Sequence, residues 1–261
     1  MSTPCAAWPR NHSAAWVLAA LAASFCVGGC SDDSYRLGGD AKQPGPLCSR
    51  GDAIEYIDRM EDGEGALEFT EGRSGFWFAF NDLKVGVAAD PAEEAEQYPD
   101  RNGETFPMTR LDPPRGDSHY AAHTSGSGFT DWGAGIGFEL RVRQPYDLSR
   151  YAGISFWARR GEEGTPNMVL ALPDRNTSPI GGVCDDAHEL CHDDFGKVIK
   201  NLDTEFKPYT YSWSELSARN WSEADLDGID TSQVYGVRFQ TWDQDKSPFD
   251  YWIDDVALLC R

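Results

Sequence analysis

Positive charge is scarce in this chain. Its 261 residues include 23 Lys and Arg but 43 Asp and Glu, which gives a formal net charge of -20 at pH 7. A field of that sign repels the phosphate backbones of nucleic acids and anionic lipid headgroups. The composition therefore argues against a nucleic-acid partner and against electrostatic attachment to membranes, and it leaves neutral or cationic ligands.

Signatures of catalysis are missing as well. The sequence contains no GxSxG, HExxH or Walker-type motif, and its five His residues do not complete the signature of a nucleophilic triad. We therefore predict a protein that is not an enzyme. A glycosidase with paired carboxylates remains as an alternative, because acids are so abundant that any two could reach the required separation.

Helix signals are few, and only residues 90–97 and 214–219 suggest a turn or two. The 26 Gly and 15 Pro are too many for a helical bundle. Short aromatic and β-branched runs recur instead between turn residues, a pattern typical of a β-sandwich or β-barrel. These runs span residues 75–80, 120–124, 136–142, 154–158, 168–172, 209–213, 235–242 and 249–259. We predict an all-β domain.

Alternation within two of these runs suggests a ligand-binding face. Successive residues of a strand face opposite sides, so Phe156 is expected to face the core while Trp157 and Arg159 face outward. The same alternation places Arg238 and Gln240 outward on their own strand. A sugar site combines a flat aromatic ring for stacking with polar side chains for hydrogen bonds. We predict one such face, with Trp157 as its platform, although any single Trp could be core. The candidate ligand-binding residues are Trp157, Arg159, Asp174, Arg238, Gln240 and Trp242.

The N-terminus resembles the leader of an exported protein. Its first 30 residues contain no acid and one Arg, and an apolar run at residues 14–27 is interrupted only by Ser24. The run is short for a bilayer span and is typical of a signal peptide. The sequence VGGC that ends at Cys30 resembles a bacterial lipobox, in which Cys30 would carry lipid. The alternative is a secreted protein that is cut slightly later, with Cys30 unmodified.

This interpretation divides the chain into three parts. Residues 1–29 are a lipoprotein signal peptide, and residues 30–47 form a polar, flexible tether. Residues 48–261 form the folded domain. Ser31, rather than Asp, follows the lipidated position, which favours the outer membrane by analogy with enterobacterial sorting.

Removal of the signal peptide removes two of the seven cysteines, and lipid would occupy Cys30. Four cysteines then remain, namely Cys48, Cys184, Cys191 and Cys260. An even number in an oxidising compartment is the condition for disulfides, and three pairings are possible. We favour Cys48–Cys260, which would staple the terminal strands, together with Cys184–Cys191, which would close a small loop. A zinc site is the alternative, although the sequence has no CxxC pair.

Four stretches resemble a known group by their order and spacing. They are YIDRMEDG from residue 56, YAGISFWA from residue 151, FKPYTYSWSEL from residue 206, and YGVRFQ from residue 235 leading into FDYWIDDV. Together they resemble the galactose-binding-like jelly rolls, especially the family-eleven carbohydrate-binding modules that recognise β-glucans. The resemblance covers nearly all of residues 48–261 and departs at residues 85–105 and 184–191. It implies an antiparallel jelly-roll β-sandwich, a structural calcium ion near the termini, and a concave face that binds glycan chains.

The same resemblance assigns Glu61 and Asp254 as calcium ligands. The residues themselves agree, because Asp58, Glu61 and Asp62 lie at the first strand and Asp254 and Asp255 on the last. If the terminal strands lie side by side, several carboxylates meet, and a hard cation would offset their repulsion. The alternative is that these acids cap turns and face solvent.

The segment 184–194 contains two His and five acids. His188 and His192 are four residues apart, a spacing that suits a metal ion if the segment is helical. We favour the other interpretation, a solvated surface loop stapled by its own disulfide.

These observations predict an exported bacterial lipoprotein, anchored by lipid and facing the periplasm or the cell surface. Its domain is expected to bind a polysaccharide or cell-surface glycan without cleaving it, and to be a monomer. One alternative is a structural or protein-interaction lipoprotein with the same fold, since fold does not fix function. A less favoured alternative is an enzyme that acts on polysaccharides.

Overall fold

The structure is a computed structural model that describes residue 48 and residues 53–82, 95–103, 105–188, 190–222, 226–242 and 245–261. The predicted signal peptide, Cys30 and the tether lie outside these residues. Within the described ranges, no helix combines the length and the apolar character that a membrane crossing requires.

The regular structure is almost entirely β. The strands are β1 (Ile54–Asp58), β2 (Trp77–Asn81), β3 (Glu96–Tyr98), β4 (Thr109–Arg115), β5 (Ser118–Ser127), β6 (Ala134–Glu139), β7 (Tyr151–Arg160), β8 (Met168–Leu172), β9 (Phe195–Ile199), β10 (Lys207–Ser212), β11 (Gly236–Gln240) and β12 (Phe249–Cys260). Short 3-10 turns occur at Pro179–Gly181, Asp186–His188 and Trp213–Glu215.

The strands form two antiparallel sheets. The seven-stranded sheet has the order β10-β7-β12-β5-β3, with β1 also paired to β12 and β4 to β5. The five-stranded sheet has the order β2-β6-β11-β8-β9. Every predicted run overlaps a strand, so the all-β prediction is confirmed.

Four strands lie outside the predicted runs, and the helical turn expected at residues 90–97 is wrong over its described residues. They are β1, β3, β4 and β9, of which β9 was missed although its sequence FGKVI contains aromatic and β-branched residues. Residues 96–97, assigned to a helical turn, belong to β3 because Glu96 pairs with Ser127 of β5. Tertiary pairing here overrides a weak local preference. The second expected turn is present in part, as Trp213–Glu215, and Ser212 and Glu215 form its capping box.

The hydrophobic core lies between the two sheets. The alternation predicted for β7 is confirmed, since Phe156 is fully buried while Trp157 and Arg159 are half-buried on the opposite side of the strand. Phe156 meets Phe239 of the other sheet edge-on, with ring centroids 5.0 Å apart. Aromatic contacts of this kind add to the burial of apolar area that holds the two sheets together.

Strand β1 carries two buried acids with different partners. Glu55 forms a buried ion pair with Arg73, with 2.7 Å between Oε1 and Nη1. Asp58 accepts hydrogen bonds from the backbone N–H of Met60 and from Nε1 of Trp77, both at 2.8 Å. Burial nevertheless raises the pKa of Asp58 to about 7, because the hydrogen bonds offset only part of the cost of removing the charge from water.

Both favoured cysteine pairings are present. Cys48 is bonded to Cys260, with their Cα atoms 5.2 Å apart, and the pairing of Ile54 with Leu259 lays β1 beside β12 next to this bridge. Cys184 is bonded to Cys191 and closes a short loop before β9. The zinc alternative is excluded for these four residues, because each sulfur is already in a disulfide.

Candidate functional site

The structure divides the predicted ligand face between two sheets. Trp157 and Arg159 lie on the outer face of the seven-stranded sheet, on β7. Arg238 and Gln240 lie on β11, on the outer face of the five-stranded sheet. The prediction of a single face is therefore wrong. Alternation reveals which side of its own strand a residue occupies, but it does not reveal which sheet the strand joins.

The two remaining predicted residues have different positions. Trp242 follows Gln240 by two residues, and the Nζ of Lys200 lies 4.8 Å from its ring centroid. Asp174 follows β8 and is fully buried. Its carboxylate accepts backbone hydrogen bonds from Asn176 at 2.8 Å and Asp230 at 2.7 Å. The expected role of Asp174 as a rim acceptor is not supported, because its oxygens are buried and hold loops together.

The outer face of the five-stranded sheet has an ordered set of side chains. Strand register places Phe78, Gly137, Arg238, Ala171 and Gly196 in one row and Phe80, Gly135, Gln240, Val169 and Val198 in the next. Aromatic rings thus stand on β2, polar side chains on β11, and small or aliphatic residues elsewhere. Gly137 is required, because a Cβ at this position would lie 2.5 Å from the carbonyl oxygen of Val237.

Three aromatic residues, which we call the aromatic cluster, border this face. The ring centroids of Phe78 and Phe80 are 5.9 Å apart, and those of Phe80 and Trp132 are 6.0 Å apart. Trp132 is 40% exposed, so part of its ring is open to solvent. Sequence analysis did not assign these residues. Alternation in residues 75–80 could have identified Phe78 and Phe80, whereas Trp132 lies in a loop with no pattern to indicate its neighbours.

Arg238 connects the aromatic cluster to a buried acid. Its guanidinium lies 5.7 Å from the ring centroid of Phe80, and its Nη1 pairs with Oδ2 of Asp194 at 2.9 Å. The side chain of Asp194 is 3% exposed. Burial raises the pKa of Asp194, and the charge of Arg238 opposes this effect. Because the buried carboxylate of Asp194 holds one end of the Arg238 guanidinium, it also fixes the direction of the remaining N–H groups of Arg238.

A cleft adjoins the aromatic cluster beyond the edge of β2. It has a volume of about 830 Å³ and is lined by residues including Phe76, Phe78, Arg101, Phe106 and Pro107. Phe76 is 47% exposed. Phe78 belongs both to the sheet face and to the cleft lining, so it borders both surfaces.

The outer face of the seven-stranded sheet is built differently. His123 stacks on Trp252 with 3.9 Å between ring centroids, and the guanidinium of Arg159 lies 4.4 Å from the centroid of Trp252. The guanidinium of Arg115 lies 4.5 Å from the centroid of Trp157. These rings contact planar groups of the protein at 3.9 to 4.5 Å, closer than the 5.7 Å between Arg238 and the ring of Phe80, which leaves less room for a sugar to stack on them.

The expected calcium ligands, Glu61 and Asp254, both contact the hydroxyl group of Ser118. Oγ of Ser118 donates to Asp254 at 2.7 Å and lies 3.3 Å from Glu61. The positive charge beside Asp254 comes from Arg115, which also pairs with Asp255. Among the described residues, no group of three or more His, Cys, Asp or Glu gathers as a metal site. In this arrangement Arg115 supplies the positive charge beside Asp254, and calcium stays a prediction from the sequence.

The two histidines of the stapled loop have separate partners. Nδ1 of His188 lies 2.6 Å from Asp185, and Nε2 of His192 lies 3.2 Å from Asp186. Among the described residues of the loop, the helical part is the short 3-10 turn Asp186–His188, so the loop is not a regular helix there. The four-residue spacing therefore does not place both rings on one helical face, as the metal interpretation required.

Comparison with solved structures supports the fold. No protein-family description and no curated protein sequence matches the chain. Among solved structures, it is similar to the family 11 carbohydrate-binding module of the cellulosomal cellulase Lic26A-Cel5E of Clostridium thermocellum, with 15% identity, coverage of 80% of this chain and 95% of the module, and a TM-score of 0.51.

A second similar structure is a family 11 module from Clostridium thermocellum in complex with a β-1,3-1,4-mixed-linked tetrasaccharide. It is 17% identical, with coverage of 76% of this chain and 96% of the module, and the TM-score is 0.48. At these identities the first match establishes the fold alone. The described domain is an antiparallel jelly-roll β-sandwich like that of carbohydrate-binding modules, as predicted.

Proposed function

We propose that the domain binds a neutral polysaccharide on the outer face of its five-stranded sheet. The observation that carries this proposal is the aromatic cluster beside the anchored guanidinium of Arg238. Aromatic rings stack on the apolar C–H faces of sugars, while Arg and Gln side chains bind hydroxyl groups. The fold shared with a carbohydrate-binding module supports the proposal at the level of architecture.

The cleft suggests how a chain longer than one sugar is accommodated. It borders the face at Phe78, and its volume of about 830 Å³ is within the range of ligand pockets. A polysaccharide could therefore run from Arg238 across the aromatic cluster into the cleft, whereas Gln240 is buried beneath this path. The net charge of -20 favours a neutral glycan over an anionic one.

A glycan array followed by affinity measurement tests this proposal. Phe80→Ala should weaken binding by roughly tenfold or more with little change in thermal stability, because it removes a stacking surface near the centre of the site. Trp157→Ala is the matched control from the other sheet, and its affinity also tests the platform role predicted for Trp157. Loss of binding in Trp157→Ala but not in Phe80→Ala would move the site to the seven-stranded sheet.

We further propose that the domain binds without cleaving. Incubation with each bound polysaccharide should release no reducing ends, and any release would support the enzyme alternative. Absence of binding to plant, fungal and bacterial glycans alike would support the structural or protein-interaction alternative.

We propose, finally, that Cys30 carries a lipid that holds the exported domain at a bacterial membrane, with the outer membrane favoured. The motif at residues 27–30 supports this placement. Metabolic labelling with a fatty-acid analogue should mark the wild-type protein and not a Cys30→Ser variant. Equal labelling of the two would remove the argument for the anchor.

A further inference from the structure

The stapled loop ends next to the proposed glycan site. Cys191 is fully buried, and the following residue, His192, donates its backbone N–H to the carbonyl of Thr177 at 2.7 Å. Asp193 and Asp194 come next, directly before β9, and both are buried. The disulfide Cys184–Cys191 therefore fixes the chain three residues before the acid that pairs with Arg238.

The two adjacent acids hold different parts of the structure. The carboxylate of Asp193 accepts backbone hydrogen bonds from Arg219 at 2.9 Å and Trp221 at 3.1 Å, which ties residues 219–222 to the end of the loop. Asp194 instead pairs with Arg238 on the sheet face. Backbone donors thus hold the segment on the side of Asp193. Asp194 lies on the other side, where it pairs with Arg238.

The position of Arg238 depends on this acid. Its row neighbours on the sheet face are Gly137 and Ala171, which have no polar side-chain atoms to hold a guanidinium. The ring of Phe80 offers a cation–π contact but no hydrogen-bond acceptor along the guanidinium plane. Asp194 is the side-chain acceptor seen for Arg238 in the described residues, so it sets the direction of the N–H donors that remain for a sugar.

We infer that Asp194 is a positioning residue for Arg238 and that the Cys184–Cys191 disulfide holds Asp194 in place, so that opening this disulfide weakens glycan binding. The inference rests on the proposed function of this face. It assigns to the stapled loop a role in ligand affinity beyond the contribution of its disulfide to stability.

A double-mutant cycle tests the coupling. Affinity for soluble mixed-linkage β-1,3-1,4-glucan and for β-1,4-galactan is measured with wild type, Arg238→Ala, Asp194→Asn and the Cys184→Ser/Cys191→Ser pair. Asp194→Asn and the cysteine pair should each weaken binding by about three- to tenfold. In the Arg238→Ala background the same changes should have little further effect, because the group they position is gone. Full additivity would overturn the inference.

The matched control is the other disulfide. Cys48→Ser/Cys260→Ser should lower thermal stability while leaving affinity unchanged, because that bridge joins β12 to the N-terminal end of the domain. If Arg238→Ala itself binds as well as wild type, the proposed site fails. If Arg238→Ala weakens binding but the Cys184→Ser/Cys191→Ser pair does not, only the present inference fails.

A measurement without any glycan completes the test. In ¹⁵N NMR spectra at low temperature, the Nη groups of Arg238 should show restricted rotation in the oxidised wild type. Their signals are assigned by their absence from the spectrum of Arg238→Lys. The restriction should disappear in Asp194→Asn and decrease in the Cys184→Ser/Cys191→Ser pair. An unchanged signal in both variants would overturn the inference, whichever glycan the protein binds.

Discussion

Single residues of this domain show how burial changes the chemistry of acids that look alike in the sequence. Asp58, Asp194 and Asp254 are all buried, and burial raises the pKa of each one. Their partners differ, since Asp58 accepts from neutral N–H groups, whereas Asp194 and Asp254 each pair with an arginine. Only the arginine partners compensate the negative charge directly.

Asp58 should make stability dependent on pH. Its folded-state pKa of about 7 lies above the ordinary value of 3.8, so the native state holds a proton that the unfolded chain has lost. The free energy of unfolding should therefore fall as pH rises through the folded pKa, by about 1.4 kcal/mol for each unit of pKa difference at most. Chemical denaturation from about pH 5 to about pH 8 measures this.

Asp58→Asn is the control for this pH dependence. It removes the titrating group but also disturbs the hydrogen bond from Trp77, so its stability should be lower at acidic pH and should change less with pH. Equal pH slopes in wild type and Asp58→Asn would show that Asp58 does not titrate in this range.

Arg115 should contribute to stability by pairing with Asp254. Arg115→Gln leaves the buried carboxylate of Asp254 without its cation. The free energy of unfolding should fall by about 2–3 kcal/mol, because the cost of removing this carboxylate from water is then no longer offset by its partner. Thermal denaturation with and without EDTA separates this pair from the predicted calcium. If Arg115 supplies the charge, EDTA leaves the melting temperature unchanged, whereas a decrease with EDTA and metal in elemental analysis would support calcium.

At the scale of elements, the two ends of the domain are joined twice. Strand β1 pairs with β12, and the Cys48–Cys260 bridge closes a loop with a sequence separation of 212 residues. Crosslinking so long a loop restricts the unfolded chain strongly. The terminal elements are therefore expected to open together with the rest of the domain instead of fraying first.

Loss of the terminal bridge should be costly. In the chain-entropy treatment, Cys48→Ser/Cys260→Ser lowers the free energy of unfolding by up to about 5 kcal/mol, with strain reducing the figure. The melting temperature should fall by roughly 10 °C. The short Cys184–Cys191 loop provides the comparison, since its removal should cost about 2 kcal/mol. A larger effect from the short loop would contradict the entropic explanation.

For the whole molecule, the two sheets have distinct outer faces. The seven-stranded sheet has stacked rings and guanidinium groups that contact one another, whereas the five-stranded sheet has half-buried Phe rings and the exposed Trp132 beside the anchored Arg238. The molecule as a whole is strongly acidic, with a net charge of -20. Under the proposed function, this charge disfavours anionic polymers, and the five-stranded face supplies the contacts for a neutral one.

The salt dependence of glycan affinity should distinguish a neutral ligand from a charged one. Affinity for a neutral polysaccharide should change less than about twofold between low salt and roughly 0.5 M NaCl, because stacking and hydrogen bonds to sugars involve little long-range charge. Isothermal titration at the two salt concentrations measures this. A steep loss of affinity with salt would indicate a charged ligand and contradict the neutral class.

The sequence alone determined much of the architecture. Recurrent short runs predicted the β class, and alternation in residues 154–158 placed Phe156 in the core and Trp157 outside. The even cysteine set and the nearness of chain ends in a sandwich favoured the Cys48–Cys260 bridge that the structure contains. These features are local or depend only on the chain ends, so a linear pattern expresses them.

The tertiary structure decided which residues share a face. Trp157 and Arg238 are both outward by alternation, yet they lie on different sheets because β7 pairs with β12 and β11 pairs with β6 and β8. Phe80 and Asp194 contact Arg238, and Trp132 contacts Phe80, because long-range pairing assembles β2, β6, β11, β8 and β9 into one sheet. Strand partners are chosen by the packing of the whole core, and the period of a strand carries no information about its neighbour.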